Sequence, residues 1–301
     1  MADVDWKGLG LGVLFAAIWS SAFTSAHIVV EYWPPFLVLS VRFLLSGAIA
    51  LGIGFALGQR IRLTAQEWRL VVIFGLCQNA FYLGLFHYAM QTVDAGVASI
   101  IASSMPLVVA ALGRIFLGQR LKPLAIAGLA AGFVGVLVIM LARIGHGLDL
   151  RGTIVCMIGV TALAIATLTL RGAAASGNLW MVVGLQMLVG AAALLPVSLV
   201  LETWSVSSPP RFIAALAYSV LISGVVATMI WFVLVRRIGA TRAATFHFLN
   251  PFLGVATAAL ILGEAVTPRD FVGVAVIMAG ILAVQLAGSR LARTTSAPEK
   301  A

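Results

Sequence analysis

Ten apolar stretches, each about 20 residues long and parted by short polar joins, run along almost the whole chain. A helix of about 20 residues spans roughly 30 Å, the thickness of a bilayer's hydrocarbon core. The stretches lie near 8–30, 36–57, 70–90, 96–117, 124–142, 152–170, 179–201, 212–235, 243–262 and 271–288. Of the 301 residues 62% are hydrophobic and 10% charged, where a soluble domain carries about 25% charged residues. No water-soluble core of this size could hide that much apolar surface, so soluble enzyme folds are excluded. A transmembrane β-barrel alternates apolar and polar residues and would not reach the mean hydropathy of +1.10. The expected fold class is an all-α polytopic membrane protein of ten transmembrane helices, with no room for a separate soluble domain.

Basic residues orient it. Fourteen Lys and Arg fall on one alternate set of joins and tails and four on the other, with Arg42 inside the second stretch. That bias predicts cytoplasmic N- and C-termini, as an even number of spans requires, and a multi-pass protein of the cell inner (plasma) membrane. The net charge of +9 then reports topology, and no nucleic-acid partner is expected. The expected partners are the lipid bilayer and a small-molecule substrate, for a monomer or homodimer. All ten acidic residues lie in tails, joins or helix ends, so a carboxylate proton relay at the midplane is disfavoured. There is no phosphate-binding G-x-x-x-x-G-K-[ST] loop, and Cys77 and Cys156 sit singly in apolar runs. Neither a metal site nor a cofactor is expected.

The chain repeats itself at an offset of 145: Pro106 matches Pro251, Gly118 Gly263, Pro123 Pro268, Gly128 Gly273 and Gly135 Gly280, without a gap. The expected organisation is a first five-helix repeat over 1–150, a second over 151–290 and a disordered cytoplasmic tail over 291–301. Five spans is an odd number, so the halves must cross the bilayer in opposite directions. Inverted repeats of this kind are typical of secondary transporters that work by alternating access.

Trp19-Ser20-Ser21-Ala22-Phe23, Arg42-Phe43, Ser104-Met105-Pro106, Leu117-Gly118-Gln119-Arg120-Leu121, Asn250-Pro251 and Leu262-Gly263-Glu264 together resemble the EamA branch of the drug/metabolite transporter superfamily, over essentially the whole chain. The resemblance implies ten helices in two inverted five-helix repeats and export of small metabolites or drugs, YddG-type exporters of aromatic amino acids being of this kind. Ala164 stands where the offset places Trp19, and Gln119 where the second repeat has Glu264.

Polar and aromatic residues inside spans should face a cavity or a partner helix. Pro106 and Pro251 break one helical hydrogen bond each and are candidate kink or gating points in spans four and nine. On the same faces lie Ser99 and Ser103, and His247 with Asn250. Asn79, Tyr82 and Phe86 recur at helical spacing in span three. Thr228 and Trp231 do so in span eight, and Trp19, Ser20 and Phe23 cluster in span one. These twelve are the candidate substrate-binding residues, walling a pocket of rings, hydroxyls and amides. For Arg42 two readings stand, a structural role or attraction of a substrate carboxylate. His87 near a span end is expected to meet interfacial water, and Trp33, Trp180 and Trp204 to anchor span ends. Gly128, Gly132 and Gly135 in span five, with Gly273 and Gly280 in span ten, are spaced for close helix approach, within the chain or across a dimer. The function expected is secondary export of small amphipathic metabolites, amino acids including aromatic ones. Alternatives are a multidrug or organic-cation exporter and, in another class, a non-transporting scaffold or a lipid-acting enzyme.

Overall fold

The computed structural model of the chain describes residues 5–116, 123–144, 149–173, 178–238, 243 and 245–294. The described residues are helical throughout, without a strand. In chain order they form α1 (Trp6–Val30), α2 (Pro35–Ala56), α3 (Ala65–Ala89), α4 (Ala95–Ala102), α5 (Met105–Phe116), α6 (Pro123–Ile144), α7 (Leu150–Ala173), α8 (Leu179–Leu201), α9 (Pro210–Ile238), α10 (Asn250–Leu262) and α11 (Pro268–Thr294). Six of the described helical stretches are long and apolar enough to cross a membrane: α1, α2, α3, Leu150–Thr167 of α7, α8 and α9. Large apolar side chains such as Leu44, Phe55, Phe81, Ile158, Leu199 and Leu260 stand exposed on their outer faces, as lipid contact requires. The Leu117–Leu121 run, His146 and the tail from 295 lie outside the described residues, as do the side chains of Pro106 and Phe248.

Two pairs of helices related by the 145-residue offset, α2 with α8 and α6 with α11, pack against one another antiparallel. At one end of the α2–α8 pair, both carboxylate oxygens of Glu202, just past α8, accept the backbone N–H groups of Phe36 and Leu37 at 2.8 and 2.9 Å. At the other end, Gln59 Oε1 accepts from the backbone N–H of Trp180 at 3.2 Å. Each helix thus has the orphan donors of its first turn capped from its counterpart. Half-way along, Gly47 meets Gly184: a Cβ on either would come within 3.0 Å of the other's carbonyl oxygen. In the α6–α11 pair the glycines again fix the approach. A Cβ on Gly135 would lie 2.9 Å from the Gly273 carbonyl oxygen, and one on Gly280 2.5 Å from that of Gly128. The small residues expected to bring helices together do so inside one chain.

Irregular backbone recurs near the same register. α3 contains a π-helical stretch over Gly75–Leu83 and α9 one over Tyr218–Val226, nine residues each. α4 and α5 are parted by a turn at Ser103–Ser104, just before Met105-Pro106. The short 3-10 helix Thr245–Leu249 stands in the same place before Asn250-Pro251. The prolines expected to kink these helices stand in the first turn after outright breaks, where the missing N–H of Pro interrupts no ladder bond.

Helix starts account for most of the described carboxylates. Thr64 and Glu67 form a capping box on α3. Thr267 and Asp270 exchange the equivalent bonds at α11. Asp149 bonds Thr92 and the backbone N–H of Arg151. Glu264 accepts from the N–H groups of Ala95 and Gly96 at 2.8 and 3.0 Å, opening α4. Asp5 caps α1 through Gly8 N–H and forms a two-pronged pair with Arg237 at 2.8 and 2.9 Å.

Two outcomes are expected. Gly280→Ala pushes the α6–α11 backbones apart, costs about 1–3 kcal/mol and lowers the melting temperature of the solubilised protein; Gly10→Ala, with nothing within 4 Å of its Cβ, does not. The Arg237 guanidinium, with help from Gly8 N–H, holds the Asp5 carboxyl down to about 2, below its ordinary 3.8. A depressed folded-state value stabilises above the unfolded value and is lost as pH falls through the folded one. The melting temperature of the native protein therefore falls more steeply between about pH 4 and pH 2 than that of Asp5→Asn.

Candidate functional site: a ring-walled central cavity

A cavity opens half-way along α1, α2 and α8. Side chains from α1, α2, α3, α5, α7, α8, α9 and the 3-10 turn line it, whereas α6 and α11 contribute none. The cavity measures about 40 Å³, room for a few waters. Substrate pockets usually offer about 300–1,000 Å³, so this conformation is closed around its centre.

One wall is a cluster of rings. Phe15 stacks on Trp19 at 5.5 Å and on Trp231 at 4.8 Å between centroids. The His247 imidazole meets Phe15, Trp19 and Trp231 edge-on at 5.3, 6.3 and 5.1 Å. Behind it Asn250 bridges two helices. Its amide nitrogen lies 2.9 Å from His247 Nδ1, and its oxygen accepts from Ser20 Oγ at 3.1 Å. The facing wall is polar: Asn79 Nδ2 donates to the carbonyl of Gln186 at 2.8 Å and to its side-chain oxygen, with Gln78, Thr167, Ser223 and Thr228 nearby.

Arg42 also lines the cavity and is only 6% exposed. Its Nε donates to the carbonyl of Ser219 at 3.1 Å and its Nη2 to Ser223 Oγ at 3.3 Å. Ser46 Oγ donates to the carbonyl of Val220 at 2.9 Å. Both carbonyls belong to the π-helical stretch of α9, whose i→i+5 pattern disturbs the regular ladder. α2 thereby holds the irregular part of α9 in place.

Of the candidates, Trp19, Asn79, Thr228, Trp231 and His247 line the cavity, and Ser20 and Asn250 stand behind it in one hydrogen-bond chain. The other serines do not reach it. Ser99 Oγ donates to the carbonyl of Asn250 at 2.9 Å and so serves the α4–α10 contact, whereas Ser103 Oγ turns back onto the carbonyl of Ser99 at 2.7 Å at the end of α4 itself. Phe23, Tyr82 and Phe86, also expected there, are not among the described residues that line it. They pack on one another, Tyr82–Phe86 at 4.7 Å and Phe23–Phe86 at 6.0 Å, in a solid core. The π-helical stretch shifts the face that regular helical spacing assigns to Tyr82 and Phe86. This core lies along α1 and α3 between the cavity and a second, open vestibule of about 790 Å³, lined by Glu31, Trp33, Tyr88, Arg151 and Glu202 among others. His87 is buried, not at interfacial water; its Nδ1 contacts the carbonyl of Leu83 at 2.9 Å. Its Nε2 and the Tyr82 hydroxyl have no hydrogen-bond partner among the described residues. Pro251 is buried at the start of α10. Phe15 and Gln186 were missed. Phe15 stands one helical turn before Trp19, and Gln186 is an uncharged amide inside an apolar run, a signal equal to that of Asn79. No group of three or more His, Cys, Asp or Glu is placed to hold a metal among the described residues.

Comparison with known proteins agrees with this architecture. A solved crystal structure of 20% identity superposes with a TM-score of 0.67, covering 97% of this chain and 99% of its own, and shares the fold. A "Probable amino-acid metabolite efflux pump" of Salmonella typhimurium is 30% identical, over 94% of this chain and 96% of its own. The "Uncharacterized inner membrane transporter YedA" of Escherichia coli is 26% identical over 91% and 90%. The "Uncharacterized transporter YvbV" of Bacillus subtilis is 23% identical over 89% and 88%. The sequence matches the description of the EamA-like transporter family twice, over residues 6–141 and 150–286. With nearly all of its length so matched, the chain belongs to the EamA-like transporter family and is a multi-pass membrane transporter, not an enzyme.

Proposed function

We propose that the protein exports small amphipathic metabolites, amino acids among them, across the inner membrane by alternating access. The observation that carries this reading is the closed, ring-walled cavity between helices of two similar halves. In this reading ten spans form two inverted halves, 1–150 and 151–290, with both termini in the cytoplasm. The two family matches, the antiparallel packing of α2 with α8 and of α6 with α11, and the one-sided Lys and Arg support it. The names of the Salmonella and Escherichia coli relatives support efflux and an inner-membrane address.

Phe23, Tyr82 and Phe86 act here as the outer closure, keeping the cavity apart from the vestibule. Opening to the outside parts these rings; opening to the inside leaves them packed. Substrate aromatic groups lie against Phe15, Trp19 and Trp231, where each ring pair contributes about 0.5–1.5 kcal/mol. An organic cation fits less well, because the described cavity lining holds a guanidinium and no carboxylate.

The test is flux of labelled phenylalanine and alanine through sealed proteoliposomes. Trp231→Ala lowers phenylalanine flux at least about fivefold more than alanine flux, corresponding to about 1 kcal/mol. Equal loss of both would sink the ring-pocket assignment. Tyr82→Ala instead empties a fully buried site, costs about 3–5 kcal/mol of stability and impairs both substrates alike. His247→Gln leaves the pH profile of flux between pH 5.5 and 8 unchanged, since the imidazole serves packing and the Asn250 bond; a flattened profile would assign it a proton-coupling role.

A further inference from the structure

The Arg42 guanidinium is a buried cation for which no described residue supplies a counter-charge. The described ion pairs join His27 and Arg211 to Glu31 and Arg237 to Asp5. All lie at helix ends, and none involves Arg42. No carboxylate lines the cavity among the described residues. Of five guanidinium N–H groups, two meet Ser219 and Ser223, and the group lies 5.5 Å from the centre of the Phe43 ring. The other three have no partner among the described residues, and Arg42 lines the cavity. Burying an unpaired charge is costly, and a charge brought in by a ligand removes that cost.

We propose that the cavity binds the carboxylate of a small organic acid, whose two oxygens take the free N–H groups of Arg42. The planar fork of Arg suits a planar carboxylate, and such bonds are charge-assisted. Phe43 packs beside the same guanidinium, and Trp19 and Trp231 stand on the ring-walled side for the apolar part. The inference rests on the transport reading for the cavity's role and adds the chemical group that the cavity selects. It also assigns Arg42 two tasks: its Nε and one Nη hold the π-helical stretch of α9, while the remaining donors hold ligand. Ligand binding thereby reaches the irregular part of α9 directly.

Three probes separate the chemistry: phenylalanine, 3-phenylpropionate, which lacks the amine, and phenethylamine, which lacks the carboxylate. Binding to the full chain in lipid nanodiscs is followed by the fluorescence of the cavity tryptophans, and counterflow in proteoliposomes is measured in parallel. Phenylalanine and 3-phenylpropionate are expected to bind at least about tenfold more tightly than phenethylamine, about 1.4 kcal/mol. Arg42→Gln is expected to bring all three within about twofold, and Arg42→Lys to keep part of the preference through its charge. Ser223→Ala, which removes a bond to Arg42 and keeps the cation, is expected to retain the preference.

Equal binding of the three probes by the native protein overturns the proposal without any variant, so it stays falsifiable if Arg42→Gln does not fold. Full carboxylate preference in folded Arg42→Gln overturns it too. So does competition by chloride alone with none by the organic acids, which would make the counter-charge an inorganic ion. Flux of phenethylamine without flux of the acids overturns the carboxylate site and leaves the transport reading standing. Saturable, Arg42-dependent carboxylate binding without flux of any probe supports the site and removes the transport reading.

Discussion

A bilayer offers no water to a stray N–H or C=O, so every irregularity of the backbone needs a partner from the protein itself. Much of this molecule follows from how that demand is met. The ends of α2 and α8 are capped across the pair, by Glu202 on Phe36 and Leu37 and by Gln59 on Trp180. Glu264 performs the same service for α4. Each of these caps comes from the other half of the chain, so the bonds that finish a helix also join the halves. Carboxylates suit this position because the N-terminus of a helix carries partial positive charge. They are absent from the cavity lining, where an acceptor of full charge would be costly to bury.

The same demand divides rigid from irregular parts. α6 and α11 run as unbroken helices and meet through Gly128, Gly135, Gly273 and Gly280, so closely that a methyl group would collide with backbone. Such a contact has little room to slide. Around the cavity, by contrast, α3 and α9 carry π-helical stretches, and α4 and α10 begin or end at breaks. Side chains replace the regular ladder there: Arg42 and Ser46 on α9, and Ser99 between α4 and α10. A side-chain bond can be exchanged for another more readily than a helical ladder can. The irregular backbone therefore surrounds the place where a transporter must change shape.

The helical, membrane-spanning character was legible because it rests on composition and run length, which survive every detail of packing. The repeat was legible because its marks, Pro106 with Pro251 and Gly135 with Gly280, are residues whose backbone demands are strict. The cavity was legible only in part. Trp19, Trp231 and His247 could be found because rings and a histidine are conspicuous in apolar helices. Tyr82 and Phe86 stand outside the described lining because regular spacing presumes 3.6 residues per turn, and the π-helical stretch over Gly75–Leu83 breaks that presumption. Nothing in a single sequence announces a π-helical stretch, since its freed groups are satisfied from elsewhere in the fold. Ser99 and Ser103 also stand outside the lining, their hydroxyls on backbone carbonyls, because a serine hydroxyl in a helix can bond a backbone carbonyl as readily as a ligand.

In the alternating-access reading proposed above, the closure formed by Phe23, Tyr82 and Phe86 is not the one stable form. Three rings packed together gain about 1.5–3 kcal/mol each from leaving water. Yet the closure also strands the Tyr82 hydroxyl and His87 Nε2 without partners among the described residues, and a buried unsatisfied polar group costs about 1–3 kcal/mol. Water admitted by opening would satisfy both. The two contributions oppose each other with similar size, which leaves a difference of a few kcal/mol between packed and parted rings. A carrier needs a difference of that order, because a ligand can shift an equilibrium only by as much as its affinities for the two forms differ. A purely apolar closure of the same size would seal more firmly and respond less. In that reading the groups without partners among the described residues help keep the closure reversible.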